Sequence, residues 1–358
     1  MPDPLNVSDF ERLAEASLEP GAHGYFAGGA GDELCLRENV EAWRRHRLRP
    51  RVLVDVSETT AATTVLGTPV SMPLLVAPTA FHRMVHPEGE AATAKAAAAV
   101  GTIMCLSTLS TSTPAEVAAA APGAPRWFQL YVFRDRGVTR GLVDQAVEAG
   151  YGAIVLTVDA PRLGRRERDL RSGFRLPPDV VVPSIAAVAG TWKGATPLEV
   201  LSEIDGSLGW RDLDQLVADS PLPVVVKGIQ TGEDAALVCE HGAAAIVVSN
   251  HGGRQLDAVA PTAELLPEAV EAVDGRLEVL VDGGIRRGSD VVVALALGAR
   301  AVLVGRPVLW GLAHGGEAGA HRVLELLQGE IELALALVGC PTPQGVTHAH
   351  VTPATRDP

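Results

Sequence analysis

Residues 223–254 read PVVVKGIQTGEDAALVCEHGAAAIVVSNHGGR. An apolar run without polar alternation leads into an Ala/Leu-rich stretch that stops at Gly242, and a second apolar run follows. Unalternated runs of this length suit parallel strands buried on both faces. A glycine just past a helix suits a left-handed cap. The segment is therefore one strand–helix–strand unit. The same unit recurs outward in both directions. Strand-length runs stand at 73–78 (PLLVAP), 102–107 (TIMCLS), 127–132 (WFQLYV), 153–159 (AIVLTVD), 223–227 (PVVVK), 244–250 (AAIVVSN), 277–282 (LEVLVD) and 301–306 (AVLVGR). Helix-like segments lie between them at 88–100, 114–121, 137–149, 232–241, 262–273 and 288–297, several followed by Gly101, Gly150, Gly242 or Gly298. Eight alternations predict an α/β fold, a closed (β/α)8 TIM barrel. A doubly wound sheet shares the local pattern but normally has fewer strands and a glycine-rich turn after the first one. Here the first run ends in Pro78-Thr79, without GxGxxG.

The 358 residues, 47% hydrophobic and 20% charged, support a large core and exclude a disordered chain. One domain over 1–358 is expected, with two departures from the repeat. Residues 1–70 form an N-terminal helical segment, with helix-like pieces at 8–16 and 32–45 around Gly28-Gly29-Ala30-Gly31. Residues 160–222 form a long insertion after strand 4, aperiodic over 180–194, predicted to be a mobile lid. A net charge of −13 without a basic block argues against nucleic acid. The four cysteines form no CxxC, so free thiols in a reducing, cytoplasmic compartment are expected. No export signal and no apolar run of about 20 residues is legible, so no membrane span is expected.

Polar residues gather at the C-terminal ends of the apolar runs: Thr79, Ser107, Gln129, Tyr131, Thr157, Asp159, Lys227, Ser249, His251, Arg254, Asp282, Arg286 and Arg306. That end of such a barrel carries the active site. Lys227 follows three valines directly, in a chain with only three lysines beside 27 arginines. It reads as either a fixed charge beside an anionic group or a Schiff-base amine. The segments VDGGIRRG (281–288) and VLVGRP (302–307) occupy the loops that grip phosphate in this fold. In SNHGGRQ (249–255), His251 suits proton transfer and Arg254 suits a carboxylate. Arg166 can supply a second cation, although Arg162, Arg165 and Arg168 beside it read as a solvated charge run. Asp159 can orient an imidazolium. The other histidines read as structural, with His82 and His86 left open. No metal site is expected. The residues alone thus give a barrel enzyme with a phosphate grip, a histidine base and an anion site. A Schiff-base aldolase on Lys227 and a non-catalytic assembly barrel are the competing classes.

At SNHGGRQLD (249–257) the sequence resembles the FMN-dependent 2-hydroxy acid oxidase and dehydrogenase family, which includes glycolate, lactate and mandelate enzymes. The resemblance covers nearly the whole chain. GYFAGGAGDE (24–33), APTAFHRMVHPEGE (77–90), WFQLYVFRDR (127–136), LTVDAPRLGRR (156–166), VVKGI (225–229), VDGGIRRG and VLVGRP correspond in order. It implies FMN as cofactor. Ala80, Ser107, Gln129, Thr157, Lys227 and Ser249 would surround the flavin ring and ribityl chain. Asp282, Gly283, Gly284, Arg286, Gly305 and Arg306 would hold the ribityl and phosphate end. Tyr25, Arg166 and Arg254 would bind the substrate carboxylate, Tyr131 its hydroxyl. His251 would be the base and Asp159 its partner, with Lys227 a fixed charge near the flavin. Leu109 stands where glycolate enzymes have a Trp, Phe81 and His82 replace Met-Gln, and Arg162 replaces an aromatic. A bulky or aromatic (S)-2-hydroxy acid such as mandelate or 4-hydroxymandelate is therefore expected as substrate. Dioxygen is the expected acceptor, giving hydrogen peroxide, with a dehydrogenase using another acceptor or a lactate- or glycolate-type substrate as alternatives. A homotetramer or octamer is the implied assembly.

Overall fold

The computed structural model describes residues 3–189 and 197–352. Eight parallel strands close into a ring: β1 Leu74–Val76, β2 Met104–Leu106, β3 Arg126–Leu130, β4 Ile154–Thr157, β5 Val224–Ile229, β6 Ala245–Val248, β7 Glu278–Asp282 and β8 Ala301–Val304. Neighbours in sequence are neighbours in space, and β8 pairs with β1 to close the barrel. All eight expected strands are present. Their side chains alternate between two buried layers. Leu75, Ile103, Cys105, Trp127, Val155, Val225, Val247, Leu280 and Leu303 fill the barrel interior, while the alternate residues pack under the helices. Both faces are dry, which is why the runs show no polar alternation.

The N-terminal segment holds three helices, α1 Val7–Ser17, α2 Pro20–Ala27 and α3 Leu34–Arg45. It also holds a hairpin, Thr63–Val65 with Thr68–Val70, that drives Val65 and Val70 into the barrel interior. Around the barrel run α4 Gly89–Val100, α5 Pro114–Ala120 and α6 Arg136–Glu148. Thr113 caps α5 in a reciprocal box with Glu116, and Asp135 caps α6.

The insertion after β4 carries α7 Glu167–Ser172, α8 Pro183–Val188, α9 Pro197–Ser202 and α10 Trp210–Asp219, the last being the barrel's fourth helix. Within the stretch read as aperiodic, Pro183–Val188 is helical. Six residues are too few to show a helical period, yet Ile185 is buried and Gln145 of α6 donates to the Ser184 carbonyl at 2.9 Å. Residues 190–196 of that expectation lie outside the described residues. The ring is completed by α11 Gly232–Glu240, α12 Thr262–Val273, α13 Gly288–Ala296 and α14 Arg306–Leu337. Helix α14 kinks at Gly315-Gly316, where the backbone leaves helical geometry. All four cysteines are free.

Candidate active site

Polar side chains at the C-terminal strand ends converge on one cavity, as strand direction in this barrel requires. The central charge is Lys227 at the β5 tip. Its ammonium lies 3.0 Å from Asp282 Oδ2 at the β7 tip and donates to Ser249 Oγ at 2.9 Å. Burial alone would drive its proton off. The carboxylates of Asp282 and Asp159 outweigh that, and the net shift is upward. An ammonium paired with a carboxylate at 3.0 Å is a poor nucleophile, which favours the fixed-charge reading of Lys227 over the Schiff-base one.

His251 follows β6 in the left-handed region, φ 58°. Its amide donates to Ser249 Oγ at 3.1 Å, and its Nδ1 lies 2.9 Å from Asp159 Oδ1. Burial raises the Asp159 pKa, but His251 and then Lys227 more than reverse this, leaving it below the usual carboxylate range. Asp159 is therefore a standing anion. It holds Nδ1 and leaves Nε2 as the ring nitrogen free to exchange a proton.

Next to His251 lies an anion site. The guanidiniums of Arg254 and Arg166 sit 5.0 and 5.5 Å from the centre of the Tyr25 ring. Arg254 also donates to the Tyr25 and Gly28 carbonyls at 2.6 and 2.9 Å. Burial, then repulsion from Arg166, pushes Arg254 down to about 10. A carboxylate seated between the two would relieve both costs. Tyr131 lines the same cavity, its phenol pushed up by burial, so it stays a neutral donor. Leu109 lines it as well, joined by Leu163, Leu201 and Leu309, none of which the strand-tip rule picks out.

The remaining wall fits FMN. Gln129 Nε2, Thr157 Oγ1 and Asp282 Oδ1 are buried with no hydrogen-bond partner among the described residues. A polar ring and ribityl chain would satisfy them. Gln129 is held by Ser107 Oγ at 3.3 Å, which itself takes the Leu109 amide. Gly283 and Gly284, at φ 97° and 81°, and Gly305 at the start of α14 bare the backbone near Arg286. Ala80 borders the same space. Among the described residues the Arg286 guanidinium donates to the neighbouring Ile285 carbonyl at 2.9 Å and to no other group, so most of its donors are free for phosphate. Arg306 lines the cavity but is largely engaged elsewhere. It donates to the carbonyls of Phe26, Gly28 and Gly252, binding the N-terminal segment to the β6 loop.

Every expected site residue except Asp159 and Ser249 lines this cavity, and those two hold residues that do. His82 is buried behind it, between Thr79 Oγ1 at 2.5 Å and Thr93 Oγ1 at 3.0 Å. His86 lies beside Glu88, away from the cavity. Arg168 pairs with Glu33, and Arg162 is exposed. Sequence reading missed Asn39 and Glu90. Asn39 exchanges hydrogen bonds with Asn250 and takes the Thr262 amide, tying α3 to the β6 loop. Glu90 accepts from His82, Thr111 and Ser112, stapling the β1 and β2 loops together.

The profile of the FMN-dependent dehydrogenase family matches residues 14–353. An L-lactate oxidase from a Nostoc species is 52% identical over 346 residues, 94% of this chain and 95% of that protein. Glycolate oxidase 3 of Oryza sativa subsp. indica is 50% identical over 351 residues, 97% of this chain and 95% of that one. A solved mandelate oxidase superposes with a TM-score of 0.91 at 42% identity, covering 98% of each chain. Profile, relatives and fold agree over almost the full length, and the chain belongs to the FMN-dependent dehydrogenase family, as an FMN enzyme of its 2-hydroxy acid oxidase branch.

Proposed function

We propose that the enzyme oxidises a bulky or aromatic (S)-2-hydroxy acid to the 2-oxo acid and passes the electrons to dioxygen, giving hydrogen peroxide. The observation that carries the reading is the His251–Asp159 pair, 2.9 Å apart, facing the two guanidiniums around Tyr25. Arg254 and Arg166 bind the carboxylate and thereby fix the α-carbon. Tyr131 donates to the substrate oxygen. His251 receives the substrate proton at Nε2, and the Asp159 carboxylate stabilises the imidazolium that forms. Bound FMN supplies the two-electron acceptor. Lys227 keeps a fixed positive charge beside the flavin site. Ser107, Gln129, Thr157, Asp282, Gly283, Gly284, Arg286 and Gly305 would hold the cofactor, with Ser249 positioning Lys227.

Leu109 and its apolar companions Leu163, Leu201 and Leu309 support a bulky side chain on the substrate. A lactate-type substrate is the second reading, favoured by the 52% identity to an L-lactate oxidase. Comparing kcat/KM for (S)-mandelate, lactate and glycolate separates them. Mandelate is expected to lead; a clear preference for lactate or glycolate ends the bulky-substrate reading. A tetramer or octamer and a cytoplasmic location complete the proposal. Among the described residues no helix is long and apolar enough to cross a membrane.

A further inference from the structure

We propose that a second, apolar cavity behind the β4 and β5 tips is the dioxygen reservoir of the active site. The inference rests on the oxidase reading above. The cavity measures about 280 Å³ and lies outside the barrel, between its strands and α10. Val132, Leu156, Val226, Ile204, Leu208 and Trp210 form its walls. The Trp210 ring stacks on His241 at 5.0 Å, which fixes it in place. Apolar walls of this kind bind small apolar molecules such as xenon, and dioxygen is of the same class.

The wall between this cavity and the active site is thin. Thr157 lines both. Beside it the β5 ladder shifts register between Lys227 and Ile229, leaving Gly228 at φ 112°. A Cβ there would meet Asp159 Cβ at 2.7 Å, so only backbone separates the cavity from the base's partner at that point.

Charge sorts the two openings. The active-site cavity presents Arg166 and Arg254, which draw in an anionic acid. The rear cavity has no cation among its described lining residues: Asp234 stands on its wall, and Asp205 there is already paired with Arg136 at 2.7 Å, so nothing in it draws an anion. The balance is simple: reduced FMN gives two electrons and two protons to one dioxygen, leaving oxidised FMN and one hydrogen peroxide.

The test uses the FMN-loaded enzyme and two filling variants, Leu208→Trp and Ile204→Phe. Crystals under xenon are expected to show xenon in the rear cavity. Stopped flow is expected to show reoxidation by dioxygen slowed about tenfold in both variants, with anaerobic reduction by substrate within about twofold of wild type. Reoxidation at the wild-type rate in both variants, or xenon bound only elsewhere, overturns the reservoir. A wild type that substrate reduces but air never reoxidises overturns the oxidase reading itself, which is a different result.

Discussion

A lysine with 5% of its side chain exposed keeps its proton only if carboxylates surround it. Lys227 has Asp282 within 3.0 Å and feels Asp159 as well. Lys227→Met would leave Asp282 buried and unpaired, and a loss of about 3–5 kcal/mol in unfolding free energy is expected by denaturant titration. The raised pKa sets the pH window. The pair's contribution is complete below the ordinary lysine value of 10.5 and fades only as pH climbs beyond it. The gap between wild type and variant should thus persist as pH rises from neutrality toward about 10; a gap that closes on that limb contradicts the charge assignment. Asp159 acts in the opposite sense, contributing above its ordinary 3.8 and losing that as pH falls further. At this scale the sequence was legible where chemistry is concentrated at strand tips. It placed Arg306 at the phosphate end without showing that its donors are taken up, because the carbonyls that occupy it come from Phe26, Gly28 and Gly252, remote in the chain.

Elements carry the site through contacts no local pattern encodes. Trp43 of α3 donates to the Gly283 carbonyl at 2.8 Å, and Asn39 reaches Asn250 and Thr262. The backbone of α3 lies so close to the β7 loop that a Cβ on Gly284 would fall 1.9 Å from the Asn39 carbonyl oxygen. Gly284→Ala is therefore expected to push α3 off the barrel and weaken FMN retention, measured as flavin released on dilution. Unchanged retention would show that the β7 loop can move without α3. The eight strands were legible because unalternated apolar runs are distinctive. Helix α2 and the hairpin at Thr63–Val65 were not, being short and rich in Gly, Pro or Thr. Their positions are set by tertiary packing.

For the molecule as a whole, two guanidiniums clustered around the Tyr25 ring make a site that is costly when empty of anion. A carboxylate that cannot be oxidised should therefore stabilise the FMN-loaded protein, by about 2.7 kcal/mol at a hundred times its Kd. The thermal shift should vanish in Arg254→Met; a shift of equal size in that variant would place the anion elsewhere. In the proposed reaction the ring of strands brings His251 to a hydroxy acid held against FMN. Anaerobic mixing of the yellow protein with (S)-mandelate, followed at the flavin absorption band, tests it most directly. Wild type should bleach, and His251→Asn should keep its flavin while bleaching about 10²–10⁴-fold more slowly. Bleaching of His251→Asn at close to the wild-type rate would contradict the account.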